Sequence, residues 1–131
     1  MTTPTFEEAV SRIVQKDPRF SERAYCFLKD TLDFTMQRIE EQEAGSQRHV
    51  SGQELLEGFR DYALNQFGPM ASTVLKEWGV RNGRNVGEMV FLLIDEDVFS
   101  KQPEDTLDDF KGFMSFHKAF EEPYEFEEQP S

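Results

Sequence analysis

Apolar side chains recur along this chain at intervals of three and four, the spacing that puts them on one face of a helix. Phe6, Ala9, Val10, Ile13 and Val14 form the first such stripe. Thr5, with Glu8 three residues on, supplies the residue types of a capping box at its start. Asp17-Pro18 predicts its end, because a proline pushes the residue before it out of helical geometry. A longer helix is expected over Ser21 to Glu43, with Tyr25, Leu28, Leu32 and Ile39 on its main stripe and Phe27, Phe34 and Met36 widening it. Its last residues, Glu40-Glu41-Gln42-Glu43, are polar all round, and acids at a helix C-terminus oppose the macrodipole. The stretch 44–49 reads as a linker.

The second half is punctuated more sharply. Ser51 and Glu54 have capping-box spacing, and Val50 with Leu55 has that of a hydrophobic staple. Leu55, Leu56, Phe59, Tyr62, Ala63 and Phe67 follow at helical intervals. Gly68-Pro69 then predicts one helix end and the next helix start. Met70, Ala71, Val74, Leu75 and Trp78 mark that next helix, which Gly79 stops. A further helix is expected from Asn85, with Glu88 three residues on, through Val86, Met89, Val90, Leu93 and Ile94 to Asp95-Glu96-Asp97. Beyond it, Val98-Phe99-Ser100 and Phe110 to Met114 read as two short strands joined by an acidic loop.

These elements predict a mainly α fold of the α+β kind. An N-terminal helical pair (1–44) is expected to pack on a winged-helix-like three-helix unit (50–120) that ends in a small C-terminal β-hairpin. Residues 1–120 form one globular domain in this reading, and 121–131 an acidic tail. A length of 131 residues suits one domain and needs no metal or disulfide to complete its core.

A winged helix raises the question of nucleic acid, and charge argues against it. The formal net charge is -12, and Glu88, Asp95, Glu96 and Asp97 lie on the helix that would enter a groove. Nucleic-acid binding draws on basic contacts that release counterions. Arg81 and Arg84, before that helix, are the nucleic-acid-binding candidates, and ordinary solvated loop charges are the simpler reading of them.

The run His49-Val50-Ser51-Gly52-Gln53-Glu54-Leu55-Leu56-Glu57-Gly58 has a further significance. Together with Tyr62-Ala63-Leu64 and Gln66-Phe67-Gly68-Pro69-Met70-Ala71 through Glu77-Trp78-Gly79, it resembles an uncharacterised family of short bacterial proteins. Phe6 to Val10 and Asp109-Phe110-Lys111-Gly112 are similar to it as well. The family is known chiefly from planctomycetes and verrucomicrobia and has no assigned activity. The resemblance implies a bacterial domain and brings no catalytic residue with it.

Motifs for catalysis are missing from the pattern. The only histidines, His49 and His117, stand far apart, and no nucleophile elbow or phosphate-binding glycine loop is present. The acids from Asp95 onward fail the calcium-loop spacing at Phe99, Ser100 and Thr106. One cysteine and two distant histidines make no zinc site, so neither metal nor cofactor is expected. Cys26, between Tyr25 and Phe27, reads as an inert core thiol. The opening residues Met1 to Pro4 show no charged and apolar leader pattern, and no apolar run approaches the length of a bilayer span, so a cytoplasmic protein without membrane contact is expected.

What remains is aromatic and acidic. Most of Phe99, Phe110, Phe113, Phe116 and Phe120 are expected in the core. Tyr124 and Phe126, in a segment too polar to pack alone, are the partner-binding candidates. The function this supports is a non-enzymatic protein–protein interaction or adaptor module with an unidentified protein partner. A nucleic-acid-associated regulator and an enzyme with an unrecognised carboxylate site are the alternatives.

Overall fold

The computed structural model of the chain describes residues 5–43, 50–99 and 117–121. Among these residues, five α-helices run in order: α1 (Phe6–Lys16), α2 (Glu22–Gln42), α3 (Gly52–Phe67), α4 (Ala71–Glu77) and α5 (Gly83–Asp95). A 3-10 turn, Gly68–Met70, joins α3 to α4, and a π-helical turn, His117–Glu121, follows late in the chain.

Each long helix begins where a side chain satisfies a free backbone N–H. Thr5 Oγ1 accepts from the Glu8 N–H at 3.1 Å, and Ser21 Oγ accepts from the Arg23 N–H at 3.2 Å. Ser51 and Glu54 close a full capping box, with each side chain accepting from the other's backbone N–H at 3.2 and 3.0 Å. Asn82 caps α5 by accepting from the Asn85 N–H at 2.8 Å. The expected start at Asn85 is therefore three residues late. Asn85 turns its own side chain elsewhere, accepting from the Arg81 N–H and donating to Glu88.

Among the described residues, the most extensive packing is between α2 and α3. Gly58 makes it possible, because a Cβ there would collide with Thr35 Oγ1. Thr35 in turn keeps its hydroxyl occupied by donating to the Thr31 carbonyl at 2.8 Å. α1 packs on α2 and on α5, where Arg12 pairs with Glu96 at 2.8 Å. The core runs through all five helices and includes Phe20, Tyr25, Leu28, Phe59, Leu75, Val86, Met89 and Leu93. Gly79, at φ +91°, ends α4 in a conformation that favours glycine, with its Cα against the Arg19 carbonyl.

The β part of the expected architecture is overturned. No strand occurs among the described residues, and the class is mainly α. Val98 and Phe99 were to open the hairpin; instead their N–H groups return to the Leu93 carbonyl at 3.1 and 3.4 Å, wrapping the end of α5. Backbone groups spent in this way are withdrawn from a strand ladder. The second expected strand, Phe110 to Met114, lies outside the described residues. The winged-helix expectation needed that hairpin and falls with it.

Late in the chain, Ala119 and Phe120 are buried in the core, with the π-helical turn set on α3 and α4. Glu121 fixes the turn by accepting from Ser72 Oγ at 2.9 Å and from Lys76 Nζ at 3.2 Å. Burying one Phe side chain contributes about 1.5–3 kcal/mol, so this short turn is a genuine part of the core.

Candidate functional site

Side chains on α2, α3 and the end of α4 assemble a continuous aromatic strip. Phe27 is its hub. Its ring centroid lies 5.1 Å from Tyr62, 5.4 Å from Phe67, 5.6 Å from Trp78 and 5.3 Å from Phe59. Phe34 extends the strip beyond Tyr62 at 5.2 Å, and Phe67 meets Trp78 edge-on at 5.7 Å. These separations fall in the range at which ring quadrupoles attract.

The geometry follows from helical spacing. Phe27 and Phe34 are seven residues apart, two turns, and lie together on the flank of α2 that faces α3. Phe27 and Phe59 are buried, whereas Phe34, Tyr62, Phe67 and Trp78 are half-buried. The strip therefore roots in the core and opens onto the surface.

Charge closes one end of it. The Arg38 guanidinium lies over the Phe34 ring at 5.2 Å and donates to Asp61 Oδ2 at 2.6 Å. Arg60 donates to the other oxygen of the same carboxylate at 2.9 Å. Partial burial would raise the Asp61 carboxyl, but the hydrogen bonds from Arg60 and Arg38 outweigh it and hold it below the ordinary carboxylate range.

A second polar cluster stands at the start of α5. Arg19 donates to Asp17 at 2.9 Å and to Glu88 at 3.0 Å. The hydrogen bond from Arg19 is the chief reason the Asp17 carboxyl is held low. For Glu88, burial pulls upward and the hydrogen bonds from Arg19 and Asn85 prevail. Tyr25 is fully buried, and its hydroxyl has no hydrogen-bond partner among the described residues. Burial, with the Asp17 charge as a lesser contributor, pushes its phenol up to about 12.

The residues expected to carry function are placed as follows. Arg81 and Arg84 are both exposed at the N-terminal end of α5. Arg84 belongs to the helix itself, and its charge helps lower the Glu88 carboxyl. The arginines thus share their end of α5 with an acid. Tyr124 and Phe126 lie outside the described residues. Cys26 is exposed, contrary to the core expectation, and burial of part of its surface followed by the charges of Asp30 and Glu22 raises its thiol.

No group of three or more His, Cys, Asp or Glu side chains among the described residues is arranged to hold a metal ion. None of the described helices is long and apolar enough to cross a membrane.

The strip escaped the reading of the sequence because Tyr62, Phe67 and Trp78 fit core periodicity as well as surface. Its one available signal was the Phe27/Phe34 pair, set off the main stripe of α2. Comparison with protein-family models, curated proteins and solved structures yields no significant match.

Proposed function

We propose that this chain is a non-enzymatic protein–protein interaction module whose binding surface is the strip of Phe34, Tyr62, Phe67 and Trp78. The observation that supports this reading is two pairs of half-buried rings, Phe34 with Tyr62 and Phe67 with Trp78, joined across three helices through a buried Phe27. Tyr and Trp supply large contact area at small conformational cost, and with Arg they dominate the energetics of protein interfaces. Arg38 over Phe34 adds a charged end that gives a partner orientation. The aromatic residues of the C-terminal segment, Tyr124 and Phe126, are further contacts in this proposal.

Kinship with the short bacterial family rests on the His49–Gly58 and Gln66–Ala71 runs, and a cytoplasmic setting on that kinship and a single cysteine. Both belong to the same proposal.

The test is affinity capture from native lysate with and without nuclease, comparing the natural chain with a Phe34→Ser/Tyr62→Ser variant. Circular dichroism and thermal melting establish that the variant folds. A defined protein retained after nuclease and lost in the folded variant supports the module. Recovery only through nucleic acid, abolished by Arg81→Ala/Arg84→Ala, contradicts it.

A further inference from the structure

We propose that Arg19, between α1 and α2, is a positioning residue of the aromatic strip, holding Trp78 in place through ion pairs that salt loosens. The inference rests on the reading of the strip as a binding surface, and it adds how one end of that surface is set.

The junction between α1 and α2 engages three elements at once. The Arg19 guanidinium donates twice to Asp17, the C-cap of α1, from Nε and Nη2 at 2.9 Å each. Its Nη1 donates to Glu88 of α5 at 3.0 Å. The Arg19 carbonyl lies against Gly79, where it leaves no room for a Cβ. Two residues on, the Ser21 N–H donates to the Trp78 carbonyl at 3.0 Å. Ser21 also caps α2, the helix that carries Phe27 and Phe34. One short segment therefore joins the guanidinium, the backbone of Trp78 and Gly79, and the start of the helix beneath the strip.

Phe20 anchors this segment in the core, with the guanidinium over its ring at 5.0 Å. The polar half of the anchor is open to solvent, because the Arg19 side chain is 50% exposed. Ion pairs so exposed are screened by salt. Arg12 and Glu96 form a second pair between α1 and the end of α5, at 43% and 19% exposure against 50% and 20% for Arg19 and Glu88. Among the described residues, that second pair has no hydrogen bond or ion pair to Ser21, Trp78 or Gly79. It shares the exposure of the Arg19 pair without its route to the strip. A contact ring held in position beforehand lowers the ordering cost of binding, so loosening Arg19 weakens the strip at its Trp78 end.

Trp78 is the only tryptophan, so its fluorescence reports on that end alone. The experiment follows acrylamide quenching and the emission maximum from low to high sodium chloride in the natural chain, Arg19→Gln and Arg12→Gln. Circular dichroism at each point verifies that the helices are intact. In the natural chain the quenching constant should rise with salt and the emission move to the red. Arg19→Gln should start at the raised value and stay flat, while Arg12→Gln should follow the natural chain. A natural chain whose Trp78 ignores salt overturns the proposal, and that measurement needs no variant to fold. So does a salt response that survives in Arg19→Gln. A change in Arg12→Gln equal to that in Arg19→Gln overturns it too, because the effect is then a general loosening of the helices. No partner is present in these measurements, so the positioning of Trp78 and the interaction module can fail separately.

Discussion

Gly58 and Thr35 show how narrowly single side chains govern this molecule. Gly58→Ala places a methyl where Thr35 Oγ1 sits, so either the Thr35 side chain turns away and gives up its bond to the Thr31 carbonyl or α2 and α3 separate. We expect a loss of about 1–3 kcal/mol in urea unfolding, the usual cost of overpacking. Thr35→Ala in the same chain should recover part of that loss, which a double-mutant cycle measures. Tyr25 makes the opposite prediction. Its buried hydroxyl has no partner among the described residues, so Tyr25→Phe should stabilise the fold or leave it unchanged. The pH dependence has a definite sign. With a folded pKa of about 12 against an ordinary value near 10, folding favours the protonated phenol. Stability contributed by the neutral form is present below pH ~10 and is lost progressively as pH rises toward 12. Denaturation followed across that alkaline window should be flatter for Tyr25→Phe. A steeper alkaline loss in the variant would contradict the assignment. Cys26 supplies a third test at this scale. An exposed thiol with a raised pKa should react completely with a maleimide in the native protein, and faster as pH rises. Reaction only on unfolding would return Cys26 to the core.

At the scale of elements, helix starts were the most legible feature, because capping residues act through local geometry. Thr5, Ser21 and Ser51 all cap as their positions suggest. Ser51→Ala should therefore cost about 1 kcal/mol, read from the urea midpoint at constant slope. The start of α5 was harder, since Asn82 and Asn85 are equally suited to capping and only Asn85 has an acid three residues on. The structure spends that acid on Arg19 and on the Asn85 side chain, so the local pattern concealed a tertiary contact. Cys26 was misplaced for a rotational reason. Successive helical residues lie 100° apart, so the neighbour of two buried aromatics can face solvent. Val98 and Phe99 were misplaced because two apolar residues after a helix fit a strand and a capping wrap equally well; the choice depends on the Leu93 carbonyl, which only the fold reveals. The strip was legible residue by residue and invisible as an assembly, since no local signal tells that Phe27, Tyr62 and Trp78 converge.

For the whole molecule, electrostatics links stability to acid. Asp17, Asp61 and Glu88 all have carboxyls held below their ordinary values, so the stability they contribute is present above pH ~4 and lost as pH falls through their folded values. These groups are partly exposed and screened, so each contribution is modest. Arg19→Gln should flatten the acid limb of a stability–pH profile, since it frees two of the three. The net charge of -12 falls on one chain whose surface also carries an aromatic strip. Such a charge keeps copies apart while leaving specific apolar docking available. The interaction reading is tested most directly by site-specific photo-crosslinking, with a photoreactive phenylalanine at position 62 or at position 26 on an exposed part of α2. One nuclease-resistant protein adduct is expected from position 62 and none from position 26. Equal labelling from both positions, or adducts with nucleic acid alone, would contradict it.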